Sequence, residues 1–109
     1  MNAVNVPVTI TPEAAARVDE LGFQAELERM IQYALQAVPE LQRIDVERYV
    51  RADEDSPPAV KVIATTAKPW APTDRLYWDV VYWQVDTIPP QVGEHLSLTV
   101  EYLTSADAS

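Results

Sequence analysis

Val4, Val6, Val8 and Ile10 alternate with Asn5, Pro7 and Thr9, which is the two-residue period of a strand with one apolar face. Pro7 has no N–H to give to a ladder, so this strand belongs at a sheet edge. Thr11, Pro12 and Glu13 then make a helix start: a side-chain cap, a proline at the first helical position and a carboxylate near the positive end of the helix dipole. The helical period persists until Pro39 stops it near Ala37. Its apolar positions form two stripes, Ala14, Val18 and Leu21 on one side, and Phe23, Leu27, Met30, Ile31, Ala34 and Val38 centred about 150° away. One straight rod cannot bury both stripes against one sheet. The pattern therefore predicts a short helix over 12–21, a break at Gly22 and a main helix over 23–37, with a continuous helix burying two faces as the alternative.

Beyond Pro39 the period becomes alternating. Ile44, Val46 and Val50 opposed to Arg43, Asp45, Glu47, Tyr49 and Arg51 predict a second strand over 42–52, and Val60, Val62 and Ala64 mark a third. Asp53-Glu54-Asp55-Ser56-Pro57-Pro58 reads as the turn between them, and Lys68 to Asp74 as a loop. Leu76 to Val85 is apolar on both faces at the strand period, with Leu76, Trp78, Val80 and Tyr82 on one side and Tyr77, Val81, Trp83 and Val85 on the other, so a fourth strand is expected over 75–86. Such a strand needs cover above and below, whereas the chain supplies one helical layer. Leu96, Leu98, Val100 and Tyr102 mark a fifth strand.

The expected fold is α+β: an N-terminal edge strand and a broken helical region packed on a mostly antiparallel four- to five-stranded sheet. Residues 1–103 are expected to form one domain and 104–109 a small, polar, disordered tail. This element order is similar to that of the cystatin-like architecture. Pro69-Trp70 and Gln91-Val92-Gly93 resemble pieces of cystatin loops, but they are out of order and wrongly spaced, so no inhibitory function follows. Ile10 to Ala16 resembles the start of A-type iron–sulfur carriers, which need cysteines that this chain lacks.

Composition narrows the chemistry. The 109 residues are 48% hydrophobic and 23% charged, a globular balance. The net charge of −9, from 17 acidic against 8 basic residues, repels a phosphate backbone and argues against nucleic acid. With no cysteine, thiolate catalysis, cysteine-ligated zinc and iron–sulfur clusters are excluded, and two glycines cannot build a Walker or dinucleotide loop. No cofactor is expected. The start lacks a signal-peptide core and no run approaches the roughly 20 apolar residues of a membrane span, which points to a cytoplasmic chain with no membrane partner.

Few residues are candidates for chemistry. Asp79 shares its strand face with Tyr77, Val81, Trp83 and Val85, where desolvation would raise its pKa and suit it to acid–base work; the blander reading pairs it with Lys61 or Arg75, or places it at an edge. His95, Ser97, Thr99 and Glu101 share one face of the last strand, but a serine inside a regular strand lacks the sharp turn and oxyanion hole of a nucleophile. Asp53-Glu54-Asp55 offers carboxylates to a hard cation without the spacing or glycine of a calcium loop, so no metal site is expected. Trp70, framed by Pro69 and Pro72, is either a presented binding aromatic or a plug on the core.

The poverty of catalytic residue types argues against an enzyme. The expected role is a non-catalytic protein-interaction or self-associating module, a homodimer or the partner of another protein, whose aromatic sheet face carries Tyr77, Val81 and Trp83, with Trp70 nearby. The alternative is a small-molecule binder or cofactor-free enzyme with an aromatic pocket and Asp79, Tyr77 or His95 as its polar groups.

Overall fold

The computed structural model describes residues 6–50, 58–71 and 75–103. The expected strand residue Val4, the acidic turn Asp53-Glu54-Asp55, the far end of the second strand and the tail 104–109 lie outside the described residues. The elements are β1 (Val8–Ile10), α1 (Pro12–Leu21), α2 (Gln24–Ala37), β2 (Leu41–Tyr49), β3 (Ala59–Thr66), α3 (Leu76–Thr87), α4 (Pro90–Gly93) and β4 (Leu96–Tyr102). The four strands form one sheet in the order β1-β2-β3-β4, with β1 at an edge as Pro7 foretold.

The N-terminal half follows its local signals. Thr11 caps α1 by accepting from the Ala14 N–H at 3.1 Å, and Pro12 opens the helix. Gly22 ends α1 in the left-handed region (φ 73°), which lets the N–H groups of Gly22 and Phe23 both return to the Val18 carbonyl. The break lets both stripes be buried, Ala14 and Val18 from α1, and Leu27, Met30, Ile31 and Ala34 from α2. After α2, Glu40 takes a positive φ of 52°, and Thr66 secures that turn. The Thr66 hydroxyl donates to the Pro39 carbonyl at 2.6 Å and accepts from the Lys68 N–H at 3.0 Å, while the Ala67 N–H reaches the Glu40 carbonyl.

The expected strand over 75–86 is a helix, and this one difference reshapes the sheet. A connection through a helix returns the chain in its original direction, so β3 and β4 pair in parallel, as β1 and β2 do, and only β2 and β3 are antiparallel. The sheet is therefore mixed, with two of its three pairings parallel, and neither the mostly antiparallel sheet nor the cystatin-like order describes it.

One sheet face carries Ile44, Val46, Val60, Val62, Ala64, Leu96, Leu98 and Val100, all buried beneath the helices in a single core that also takes Leu76 and Val80 from α3 and Val92 from α4. The opposite face carries Arg43, Asp45, Glu47, Tyr49, Lys61, Ile63, Thr65, Ser97, Thr99 and Glu101, with Thr65 buried and Ile63 half-buried among the polar side chains. That face is mostly polar, in keeping with a sheet face turned to solvent. The aromatic sheet face does not exist, because its rings belong to α3.

Candidate interaction face on α3

As a helix, Leu76–Thr87 turns Leu76, Val80, Trp83, Gln84 and Thr87 inward, a spacing of four, three, one and three residues. The remaining arc holds Tyr77, Trp78, Val81, Tyr82 and Val85. Tyr77 is 45% exposed, Trp78 51%, Tyr82 56% and Val85 73%, values far above those of a buried face. Tyr77 and Trp78 meet edge to face at 5.2 Å between ring centroids, and Trp78 and Tyr82 lie tilted at 6.3 Å. Tyr77 and Val81 thus sit on the outward arc together with Trp78 and Tyr82, which the strand period had placed on the opposite side. Helical geometry merges what alternation separates.

Trp83 is not part of that face. It packs against the core and stacks on Tyr33 of α2, with centroids 4.1 Å apart and planes 11° from parallel. The Tyr33 hydroxyl reaches on to donate to the Asp79 carbonyl at 3.4 Å. Partial burial raises the Tyr33 pKa above the ordinary tyrosine value, and the nearby Asp79 carboxylate adds to the shift, because both disfavour a phenolate.

Gln84 fixes α3 to the sheet. Its side-chain amide donates to the Leu98 carbonyl at 2.8 Å and accepts from the Leu98 N–H at 2.9 Å, so it stands in for a neighbouring strand on the outer edge of β4. A weaker bond returns to the Val80 carbonyl of its own helix at 3.4 Å. Nothing in the period of the sequence marks Gln84 for this role; it is one of two polar residues, with Asp79, in the run 76–85. Beside it an open depression of about 430 Å³ is lined by Val81, Val85, Ile88, Pro90, Gly93 and Glu94, continuous with the aromatic face through Val81 and Val85.

The other candidates are not brought together. Asp79 lies exposed in the first turn of α3, where the helix dipole favours a carboxylate, so the burial on which its acid–base reading depended is absent. It forms no ion pair with Lys61 or Arg75. His95 precedes β4 with its ring 6.4 Å from Phe23, and its Nδ1 is buried without a hydrogen-bond partner, so no bond from that nitrogen joins it to Ser97. Ser97, Thr99 and Glu101 instead pair with Lys61, Ile63 and Thr65 across the open sheet face. Trp70 is 42% exposed in the β3–α3 connection, outside the core cluster, so it is no plug. Among the described residues no group of three potential metal ligands occurs, and no helix is long and apolar enough to cross a membrane.

The fold and this face define an α+β chain that presents an exposed aromatic helix. No protein-family profile, curated protein or solved structure gives a significant match to it.

Proposed function

We propose that this chain is a non-catalytic protein-interaction module whose docking element is the outward face of α3. The observation that carries the reading is the contiguous exposure of Tyr77, Trp78, Tyr82 and Val85. At aromatic side-chain areas of roughly 150–250 Å² each, these residues present about 400 Å² of largely apolar surface, within the roughly 300–600 Å² of the largest patch on a typical monomer, a patch that often serves binding. Tryptophan and tyrosine at the centre of such a patch are the residue types that dominate binding energy.

The test compares wild type with Trp78→Glu, both confirmed folded by circular dichroism. Solution mass is followed over a concentration series, and each protein is used to capture partners from its source cells. The reading expects an association or a captured protein that Trp78→Glu loses. A monomer at every concentration, with identical captures for both chains, would refute it.

Small-molecule binding is the second reading, favoured by the depression beside α4, whose volume of about 430 Å³ lies within the range of ligand sites. Its lining includes neither Asp79 nor His95, so support for catalysis there is thin.

A further inference from the structure

The charge around the aromatic face selects the kind of partner. On the wheel of α3, Tyr77, Val81, Val85, Trp78 and Tyr82 span an arc of about 140°, and Asp86 and Asp79 follow directly on its Tyr82 side. These two aspartates are seven residues apart, so they lie on one line about 10 Å long, two helical turns. Both are exposed, and neither has an ion-pair partner among the described residues. No lysine or arginine occurs in α3 or α4; Arg75 stands ahead of the first turn. On the other side of the stripe, the depression lined by Val81, Val85, Ile88 and Pro90 offers a groove for apolar side chains.

We infer that the occupant of this face is a cationic amphipathic helix, with an apolar stripe that enters the groove and arginine or lysine side chains two turns apart along the Asp79–Asp86 edge. This rests on the interaction reading above and narrows it. The ring faces of Trp78 and Tyr82 attract a guanidinium, and the carboxylates beside them add charge of the same preference. A helix laid on an apolar face with anchors one turn apart is an established mode of peptide recognition. A second copy of this chain fits less well, because each copy carries a net charge of −9 and would bring no basic residue from its own α3 or α4.

The experiment titrates the full chain with a designed leucine–alanine helix carrying arginines two turns apart, and with versions in which glutamine or glutamate replaces arginine, followed by calorimetry. The arginine helix should bind about tenfold tighter than the glutamine version, and the glutamate version weakest. Asp79→Asn with Asp86→Asn should remove most of that preference, whereas the charge-matched pair Glu47→Gln with Glu101→Gln on the open sheet face should leave it intact. Equal weakening by both pairs would mean general acidity alone and would overturn the inference. Equal binding of the arginine and glutamine helices, lost in Trp78→Ala, would also overturn it while leaving the interaction reading in place. Binding of none of the helices would overturn it as well, and the mass and capture comparison of Trp78→Glu would then decide the interaction reading by itself.

Discussion

Gln84 offers the sharpest test of how α3 is held. Leu98 is 4% exposed, and the Gln84 amide gives its N–H and C=O partners at 2.9 and 2.8 Å. Gln84→Leu keeps most of the volume but leaves both backbone groups without those partners. An unsatisfied buried group costs about 1–3 kcal/mol, and water at the sheet edge recovers part of this, so a net loss of about 2–3 kcal/mol is expected. That is a large share of an ordinary stability of about 5–15 kcal/mol and lowers the melting temperature by roughly 10 °C or more. Gln84→Glu sharpens the argument. An ionised carboxylate can still accept from the Leu98 N–H but sets an oxygen against the Leu98 carbonyl, whereas the protonated acid can donate to that carbonyl. The neutral form is thus favoured in the folded state, and the folded pKa lies above the unfolded value of about 4.3. Below the unfolded value the variant carries no ionisation penalty; the penalty grows as pH rises toward the folded value. Urea titrations followed by tryptophan fluorescence should show Gln84→Glu closer to wild type at pH 4 than at pH 7. A loss below about 0.5 kcal/mol in Gln84→Leu, or the same Glu penalty at both pH values, would refute the reasoning.

Thr66→Val removes the hydroxyl that bonds Pro39 and Lys68, and should lower stability by about 1–3 kcal/mol with an unchanged urea m-value; an unchanged midpoint would show that the turn holds itself. Trp83→Ala breaks the stack on Tyr33 and should cost about 2–4 kcal/mol, whereas Trp78→Ala, half exposed, should cost under about 1 kcal/mol; equal costs would contradict the assigned helix faces. Asp79→Asn should lower the Tyr33 pKa in an ultraviolet titration yet leave it above the ordinary value, because burial is the larger cause. Both causes act on the phenolate alone, so the shift costs the fold nothing below the ordinary tyrosine value of about 10, and a penalty grows as pH rises from there toward the folded value, which should weaken the folded chain on the alkaline side.

The site was half legible. That the 76–85 run holds a surface too apolar for solvent alone, with Tyr77 and Val81 among its residues, was recognisable. Their companions were not, since alternation assigned Trp78 and Tyr82 to the wrong side and Trp83 to the outside. A run of ten residues that is apolar at nearly every position fits both periods, and the aromatic and β-branched content of Leu76–Val85 tilts it toward a strand. What separates the two readings is Gln84, whose single polar group has to meet the edge of β4.

The sequence by itself determined the N-terminal elements and the strand pattern: the edge position of β1 through Pro7, the cap at Thr11, the break at Gly22, the two buried stripes and the alternation of β2, β3 and β4. These features are local, written in neighbouring residues whose sterics and hydrogen bonds act whatever the rest of the chain does. Only the tertiary structure decided that residues 76–87 coil, that two of three strand pairs are parallel, and that the open sheet face is mostly polar while the aromatics face outward from α3. Those outcomes depend on contacts between distant segments, Gln84 with Leu98 and Tyr33 with Trp83, and on the direction in which a helical connection returns the chain.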